Sequence, residues 1–415
     1  LVIEAIVEDM GVKQNLFRQL EDICGEDTIL ATNTSSLSIT AIASALSRPK
    51  NFVGLHFFNP AQVMKLVEII SGTGTSRDVA ETAFDTATAW GKKAVHAKST
   101  PGFIVNRVAR PFYAEALRVL EEGGADVATI DAILKESAGF RMGPFELMDL
   151  IGNDVNLAVT KSVFRSFHFD PRFKPSLVQE DLVAAGNFGR KSGKGFYDYA
   201  DGALKMEAHT AANAPKPESV IVQGDLGVAA PLFGLIEKAG ISVEDQRSNE
   251  EQGSISVGAA QLFLTDGSLA TERGGNTIHF DLALDYENAG RIALAPADTC
   301  DAAALEAAVG LFQALGKRVS VMDDVPGMIA MRTVCMLANI GADAVNDGVC
   351  TEEAVDTAML YGVNYPEGPL TWANKIGPEF VEDVLDNLGR TYTDVRYRCS
   401  TLLRRKVMTQ KPFNS

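Results

Sequence analysis

Little in this chain could build a covalent or metal-held framework. Its 415 residues include only five cysteines and five histidines. The cysteines, at 24, 300, 335, 350 and 399, form no CxxC pair and follow no metal-ligand spacing. No metal site is expected, and the thiols read as reduced, cytosolic and mostly set in apolar surroundings. Positive charge is in deficit as well, with 38 Lys and Arg against 54 Asp and Glu and a formal net charge of -16. That balance argues against nucleic acid or an anionic membrane as partner, while allowing a local basic pocket. No apolar run approaches the roughly 18 residues needed to span a bilayer, and no signal peptide is visible, so a cytoplasmic protein is expected. An initiator Met is also lacking. Residues 1–8, Leu-Val-Ile-Glu-Ala-Ile-Val-Glu, read as a buried strand rather than a start, so a fragment whose N-terminal part is missing is expected.

What is present is enough apolar residue, 46%, for a proper core. The length exceeds the roughly 250–300 residues at which one core stops growing, so several domains are expected. Over residues 1–98 strand patterns (1–7, 28–31, 52–57, 64–70, 94–97) alternate with helical ones (12–23, 38–45, 78–90), the signature of an α/β sheet. At Lys98-Ser99-Thr100-Pro101-Gly102 the pattern changes, and Thr before Pro marks a helix start. From 103 to about 185 apolar residues recur at helical spacing, as in Val105, Val108, Phe112, Ala116 and Leu120. A glycine- and cation-rich loop (186–199), a linker (208–217) and a small, eroded α/β unit follow, before a second helical stretch. The expected organisation is α/β followed by all-α, in segments 1–98, 99–200, 201–322 and 323–415.

The last segment repeats the second. Pro101-Gly102-Phe103-Ile104-Val105-Asn106-Arg107 returns as Pro326-Gly327-Met328-Ile329-Ala330-Met331-Arg332, an offset of 225 residues. The same ungapped offset carries Gly123 onto Gly348, Asp131 onto Asp356, Gly143-Pro144 onto Gly368-Pro369 and Gly152 onto Gly377. Two copies of one helical module are implied. Asn106, read as a buried polar residue, becomes Met331, so the module does not need the amide and a functional role is favoured.

Other residues carry a bland and a sharp reading. His56, in Gly54-Leu55-His56-Phe57-Phe58-Asn59-Pro60, sits in an apolar strand and could be a hydrogen-bonded core residue. Glu68, in a second apolar strand, costs several kcal/mol unless paired, and strands carrying one His and one Glu give each a partner. A carboxylate orienting an imidazole is the usual setting of a general base. Thr32-Asn33-Thr34-Ser35-Ser36-Leu37 could merely cap a helix, or contact a substrate hydroxyl in the crevice at a strand's C-terminal end. Lys191 and Lys194 are either solvated charges or contacts for a ligand's phosphate or ribose. Gly224-Asp225-Leu226-Gly227 resembles part of a dinucleotide loop, but Val222 replaces the first glycine and no acidic follower stands at the right distance, so it reads as scaffold.

Together with Lys65-Leu66-Val67-Glu68 and Met142-Gly143-Pro144-Phe145-Glu146-Leu147, these motifs resemble, in order and spacing across residues 1–200, the 3-hydroxyacyl-CoA dehydrogenase family. The remainder is similar to its two-copy members of fatty-acid, butyrate and phenylacetate breakdown. The resemblance implies a partial Rossmann-type dinucleotide-binding domain, a helical C-terminal domain, a degenerate α/β segment and a second helical copy. It implies NAD-dependent oxidation of a (3S)-hydroxyacyl-CoA to the 3-ketoacyl-CoA. His56 would take the hydroxyl proton, Glu68 would hold its tautomer, Ser35 would bond the substrate hydroxyl and Asn106 would place the reacting oxygen. Glu8, Lys13, Ser35, Asn59 and Lys191 match positions that contact the nicotinamide half of NAD. The family's glycine-rich phosphate loop, ribose-binding acid and CoA-gripping Ser and Lys would all precede Leu1, so this fragment alone is expected to be impaired. Ungapped mapping puts Asp281 opposite His56, Ala293 opposite Glu68 and Met331 opposite Asn106, so the second copy should only pack, completing a dimer-like helical interface. A homodimer through the helical domains is expected. The alternative is a non-catalytic fragment or scaffold lacking the phosphate-binding loop.

Overall fold

The computed structural model describes residues 1–248 and 252–414. The first unit alternates β1 (Val2–Glu4), α1 (Met10–Ile23), β2 (Leu30–Thr32), α2 (Ile39–Ala43), β3 (Phe52–Phe57), β4 (Leu66–Ser71), α3 (Arg77–Ala89) and β5 (Lys93–Lys98). Its sheet has the order β1-β2-β3-β4-β5. The first three strands run parallel, and β4 and β5, parallel to each other, run antiparallel to them. Strands β3 and β4 are buried along most of their length, which explains their near-continuous apolar sequences. The first strand is shorter than residues 1–7. Glu4 bends its side chain back to accept from the Ile6 N–H at 2.6 Å, ending the strand before Ala5.

The first helical module follows: α4 (Val105–Val108), α5 (Arg110–Glu121), α6 (Val127–Glu136), α7 (Pro144–Ile151), α8 (Asn153–Ser166) and α9 (Leu177–Ala184). The expected helix start at Thr100-Pro101 is displaced by four residues. Gly102 and Phe103 lie at φ 73° and 47°, so no helix can run through them, and the first turn begins at Val105. No Ser or Thr caps it. The Glu68 carboxylate does so from β4, accepting from the Ile104 and Val105 N–H groups at 2.9 and 3.0 Å. Ala109 separates α4 from α5 but keeps helical dihedrals, the break arising because Pro111 offers no N–H.

The segment expected to be an eroded α/β unit is a second sheet. It holds β6 (Ser219–Gln223), α10 (Pro231–Lys238), β7 (Ser242–Gln246), β8 (Ser254–Val257), β9 (Ala260–Leu264), α11 (Ala270–Arg273), β10 (Thr277–Phe280), β11 (Arg291–Pro296), α12 (Ala302–Ala314) and β12 (Arg318–Val321). The strand order is β12-β11-β10-β9-β8-β6-β7. The linker before it is strapped down, with the Ala211 N–H donating to the Val319 carbonyl. The second helical copy is α13 (Ala330–Asn346), α14 (Glu352–Gly362), α15 (Pro369–Ile376), α16 (Pro378–Tyr392) and α17 (Thr401–Thr409).

The repeat has a physical basis. Gly327 and Met328 reproduce the positive φ values of Gly102 and Phe103, at 69° and 49°. Asp131 and Asp356 each cap the start of the helix beginning at the Gly-Pro pair, accepting from the N–H groups of Phe145 and Glu146 and of Leu370 and Thr371. A Cβ on Gly143 or Gly368 would lie 2.2 or 2.0 Å from the Asp131 or Asp356 Cγ, so only glycine fits. The copies face each other about a pseudo-twofold axis. The Lys98 N–H donates to the Val349 carbonyl and the Asp323 N–H to the Gly124 carbonyl, a reciprocal pair at the same offset. Arg107 meets Asp347, and Arg332 meets Glu122, the offset equivalent of Asp347. This is the dimer-like interface expected within one chain. Because α5 packs on α13, a homodimer through the helical domains would need another surface.

The second copy caps its helix start from a different strand. Asp281 stands opposite Ala293 across β10 and β11, as His56 stands opposite Glu68, yet it inherits the work of Glu68 at the helix start. Its Oδ2 accepts from the Ile329 and Ala330 N–H groups at 3.1 and 2.7 Å, and its Oδ1 from Leu282 and Met331 at 2.8 and 2.9 Å. The carboxylate has moved to the neighbouring strand, which an ungapped comparison cannot see. Asp281→Ala is expected to destabilise the protein by about 2–4 kcal/mol in urea unfolding, since it strands several buried donors.

Burial pushes Asp281 up to about 6 despite these donors. A raised carboxyl stabilises the fold in its protonated form, fully below its unfolded value near 3.9 and progressively less as pH rises through about 6. The stability advantage of wild type over Asp281→Asn should therefore shrink by about 2 kcal/mol between pH 4 and 7. Urea midpoints of both proteins at the two pH values check this.

Candidate active site

Strand register builds the centre of the site. His56 and Glu68 are direct partners on the antiparallel pair β3 and β4, and the His56 Nδ1 lies 2.6 Å from the Glu68 Oε2. Both are buried, at 5% and 0% exposure, so the carboxylate has little alternative to this partner. Its other oxygen caps α4, which leaves neither carboxylate oxygen free to swing away. The imidazole packs between Phe58 and Phe103, with ring centroids 4.5 and 5.7 Å away. With Nδ1 donating to Glu68, the neutral ring carries its lone pair on Nε2, the form a general base requires.

The loop after β2 is stitched to its surroundings by side chains. The Asn33 Oδ1 accepts from the Phe57 N–H at 2.8 Å, tying this loop to the residue after His56. The Glu8 Oε1 accepts from the Thr34 hydroxyl and from the Ser35 and Ser36 N–H groups at 2.6, 3.0 and 3.0 Å. Although burial opposes it, these hydrogen bonds and the Lys13 ammonium hold the Glu8 carboxyl below its usual range. Lys13 is buried and pairs with Glu4 at 2.5 Å and Glu8 at 3.5 Å. The Glu4 Oε2 accepts in turn from the Thr32 hydroxyl at 2.7 Å. Glu4 escaped the sequence reading, which absorbed it into a buried strand; a carboxylate at a strand end nine residues before a lysine was the available signal.

Asn106 is half-buried rather than buried, because α4 opens onto a cleft lined by Ser35, Gly102, Val159 and Val163. Its Nδ2 lies 3.5 Å from the Ser35 carbonyl oxygen. Met331, its equivalent, is fully buried and packs on Cys335. The structure therefore brings together His56, Glu68, Ser35 and Asn106, with Glu8 and Lys13 behind the Ser35 loop. It does not bring Lys191 or Asn59 into that cluster. Lys191 bonds Asp154 in the first turn of α8, about 12 Å of helix rise from Ser162 in the cleft. Asn59 is exposed on the turn after β3.

The loops after β1 and β2, which carry Glu8 and Ser35, lie at the carboxyl ends of parallel strands, where open α/β sheets place a dinucleotide. Half-exposed Glu8 and the serine hydroxyls supply polar groups suited to one. Among the described residues no cluster of His, Cys, Asp or Glu could hold a metal ion, and no helix is long and apolar enough to cross a membrane.

Residues 1–100 match the profile of the 3-hydroxyacyl-CoA dehydrogenase NAD-binding domain. Residues 102–199 and 327–412 both match the C-terminal domain of that family, and 262–326 match the reduced Rossmann-fold domain of 3-hydroxybutyryl-CoA dehydrogenase. The chain is 42% identical over its whole length to 3-hydroxyadipyl-CoA dehydrogenase of Escherichia coli, covering 82% of that relative. It is 47% identical over 199 residues to human mitochondrial hydroxyacyl-coenzyme A dehydrogenase, where it spans 63% of the relative's length. A solved structure of 3-hydroxybutyryl-CoA dehydrogenase from Escherichia coli superposes with a TM-score of 0.88 at 40% identity, covering 98% of this chain and 81% of that one. The catalytic-looking pair, the duplicated helical module and the reduced second sheet thus come from a single source: the chain belongs to the 3-hydroxyacyl-CoA dehydrogenase family of NAD-dependent oxidoreductases.

Proposed function

We propose that this chain oxidises the C3 hydroxyl of a (3S)-hydroxyacyl-CoA to the ketone, with His56 as general base. The observation that carries the reading is the Nδ1 bond from His56 to a carboxylate pinned at its other oxygen, which fixes the basic nitrogen as Nε2. The hydroxyl proton passes to Nε2, and Glu68 stabilises the imidazolium that forms. Bound NAD supplies the acceptor for the C3 hydride. Ser35 and Asn106 position the reacting oxygen from the two sides of the cleft, and Phe58 and Phe103 shield the imidazole from water. Glu8 and Lys13 shape the loop against which the nicotinamide half would rest, and Asn59 and Lys191 would reach the cofactor only after moving toward it. Five free cysteines fit a reducing, cytoplasmic setting. A scaffold reading suits the second copy, where both Asp281 oxygens are occupied by backbone donors.

The test is acetoacetyl-CoA-dependent NADH oxidation by the full-length polypeptide. Measurable turnover is expected, and its absence under saturating NADH refutes the reading. Asn106→Met, which imports the second copy's residue, is expected to lower kcat tenfold or more with an unchanged circular dichroism spectrum, because oriented polar contacts to a reacting oxygen are commonly worth that much. Unchanged turnover would remove Asn106 from the site.

A further inference from the structure

Along α5 and α13, the helices through which the two copies meet, the 225-residue offset sets Arg110 against Cys335, Ala114 against Asn339 and Arg118 against Asp343. The single turns Pro171–Phe173 and Val395–Tyr397 also correspond, with Arg172 matching Arg396 one residue short of that offset. In the half around α13 these groups satisfy one another. Arg172 pairs with Asp343. Asn339 closes the gap to the segment after Tyr397, donating to the Arg398 carbonyl at 2.9 Å and accepting from the Ser400 N–H at 2.7 Å.

The half around α5 is left open. Arg118 stands where Asp343 stands, so Arg396 loses its counter-ion, and Glu115, 3.9 Å away, is already bonded to Arg332. Ala114 cannot fill the space that Asn339 fills, and it lines a cavity of about 660 Å³ between α5, α9 and the two turns. Arg110 and Arg396 both line this cavity at 5% and 8% exposure, and the Nε of each is buried without a partner. The Arg110 Nη1 donates to the Thr160 hydroxyl at 3.1 Å, and among the described residues no carboxylate pairs with it. The acids of the wall are committed elsewhere: Glu122 to Arg332 and Arg118, Asp394 to Arg118, and Glu121 to the Ser176 hydroxyl. A buried cation without a counter-ion costs stability, and the second copy folds with Cys335 and Asn339 in these places. The module therefore requires neither the arginine nor the opening. The cavity shares no lining residue with the cleft at Asn106, so the catalytic reading does not account for it.

We infer that this cavity is a separate binding site for a small organic carboxylate with an apolar tail. The two guanidiniums supply charge-assisted donors for the carboxylate. Tyr113, Leu117, Phe173 and Val178 line the wall available to the tail, and the volume lies in the range of small-molecule pockets. Because Arg396 belongs to the second copy and Arg110 to the first, the bound anion bridges the pair and stabilises the fold by mass action.

Octanoate is the probe, titrated calorimetrically into the full-length protein beside 1-octanol, which lacks the charge, and inorganic phosphate, which lacks the tail. One octanoate per chain is expected, bound at least tenfold more tightly than either comparison compound and raising the melting temperature. Ala114→Asn, which imports the second copy's residue and fills the cavity, should weaken octanoate at least tenfold while melting within about 3 °C of wild type. Arg110→Cys should weaken it by about 30-fold, and each of these two variants decides the matter if the other does not fold. Asn106→Met, in the catalytic cleft, should leave octanoate binding within twofold. No binding of octanoate at millimolar concentration overturns the assignment, as does undiminished binding in Ala114→Asn or Arg110→Cys. Octanol or phosphate binding as tightly as octanoate overturns the ligand class. A loss in Asn106→Met without one in Ala114→Asn would place the anion in the catalytic cleft and contradict a separate site.

Discussion

His56→Gln is expected to lower kcat for NADH-dependent reduction of acetoacetyl-CoA by about 10³-fold, with little change in KM or melting temperature. The magnitude follows from what is removed. Proton transfer by a positioned side chain contributes about 10²–10⁴-fold, and here the imidazole is the titratable group held between the cleft and Glu68. Glutamine keeps a donor for the Glu68 Oε2 and fills most of the space between Phe58 and Phe103, so the sheet should not collapse. Steady-state kinetics beside a thermal melt separate the two effects. A His56→Gln enzyme with wild-type kcat would remove the proposed base.

The second large effect is on stability. Arg332→Met is expected to destabilise the protein by about 3–5 kcal/mol, the usual result of removing one partner of a buried pair. Arg332 is fully buried where the two helical copies meet, bonding the Glu115 Oε2 at 2.8 Å and the Tyr397 hydroxyl at 3.0 Å. Glu115 is itself buried, and its next cation, Arg396, is 3.9 Å away. Replacing both Arg332 and Glu115 by Met and Leu should recover part of the loss, because the closest buried pair is then removed as a unit and only the more distant Arg396 and Glu122 lose a partner. Denaturant midpoints for the two single variants and the double one measure the coupling. Additive losses would mean the pair does not join the copies energetically.

Much of this was legible in the residues, for physical reasons. Pro101-Gly102 and Gly143-Pro144 announce the module because positive φ at 102 and carboxylate contact at 143 admit few alternatives. His56 and Glu68 were readable as partners because a carboxylate in an apolar strand must be paired. The order α/β, all-α, reduced α/β, all-α emerged from periodicity and the 225-residue offset. What stayed hidden depends on three-dimensional closeness. The second task of Glu68 involves backbone donors 36 and 37 residues away, and Asp281 performs it from another strand. Arg110 looks in sequence like any charge on an amphipathic helix; only the absence of a carboxylate around it in space sets it apart. Lys191 reads in sequence as either a solvated charge or a ligand contact, with likeness favouring the cofactor, and the structure holds it on Asp154.

The central claim is that one copy works and the other supports. Glu68 and Asp281 make the sharpest comparison, since both cap the same helix start and only Glu68 also holds a histidine. In Glu68→Gln the side-chain oxygen must still face the Ile104 and Val105 N–H groups, so its amide NH₂ faces the His56 Nδ1 and forces the ring proton onto Nε2. The base is lost by tautomer, with the fold kept. The deciding measurement is kcat for acetoacetyl-CoA reduction per folded molecule in Glu68→Gln and Asp281→Asn. The account predicts a fall of about 10³-fold in the first and a kcat within twofold of wild type in the second, which should lose only stability. Equal losses in both, or full activity in Glu68→Gln, would contradict it.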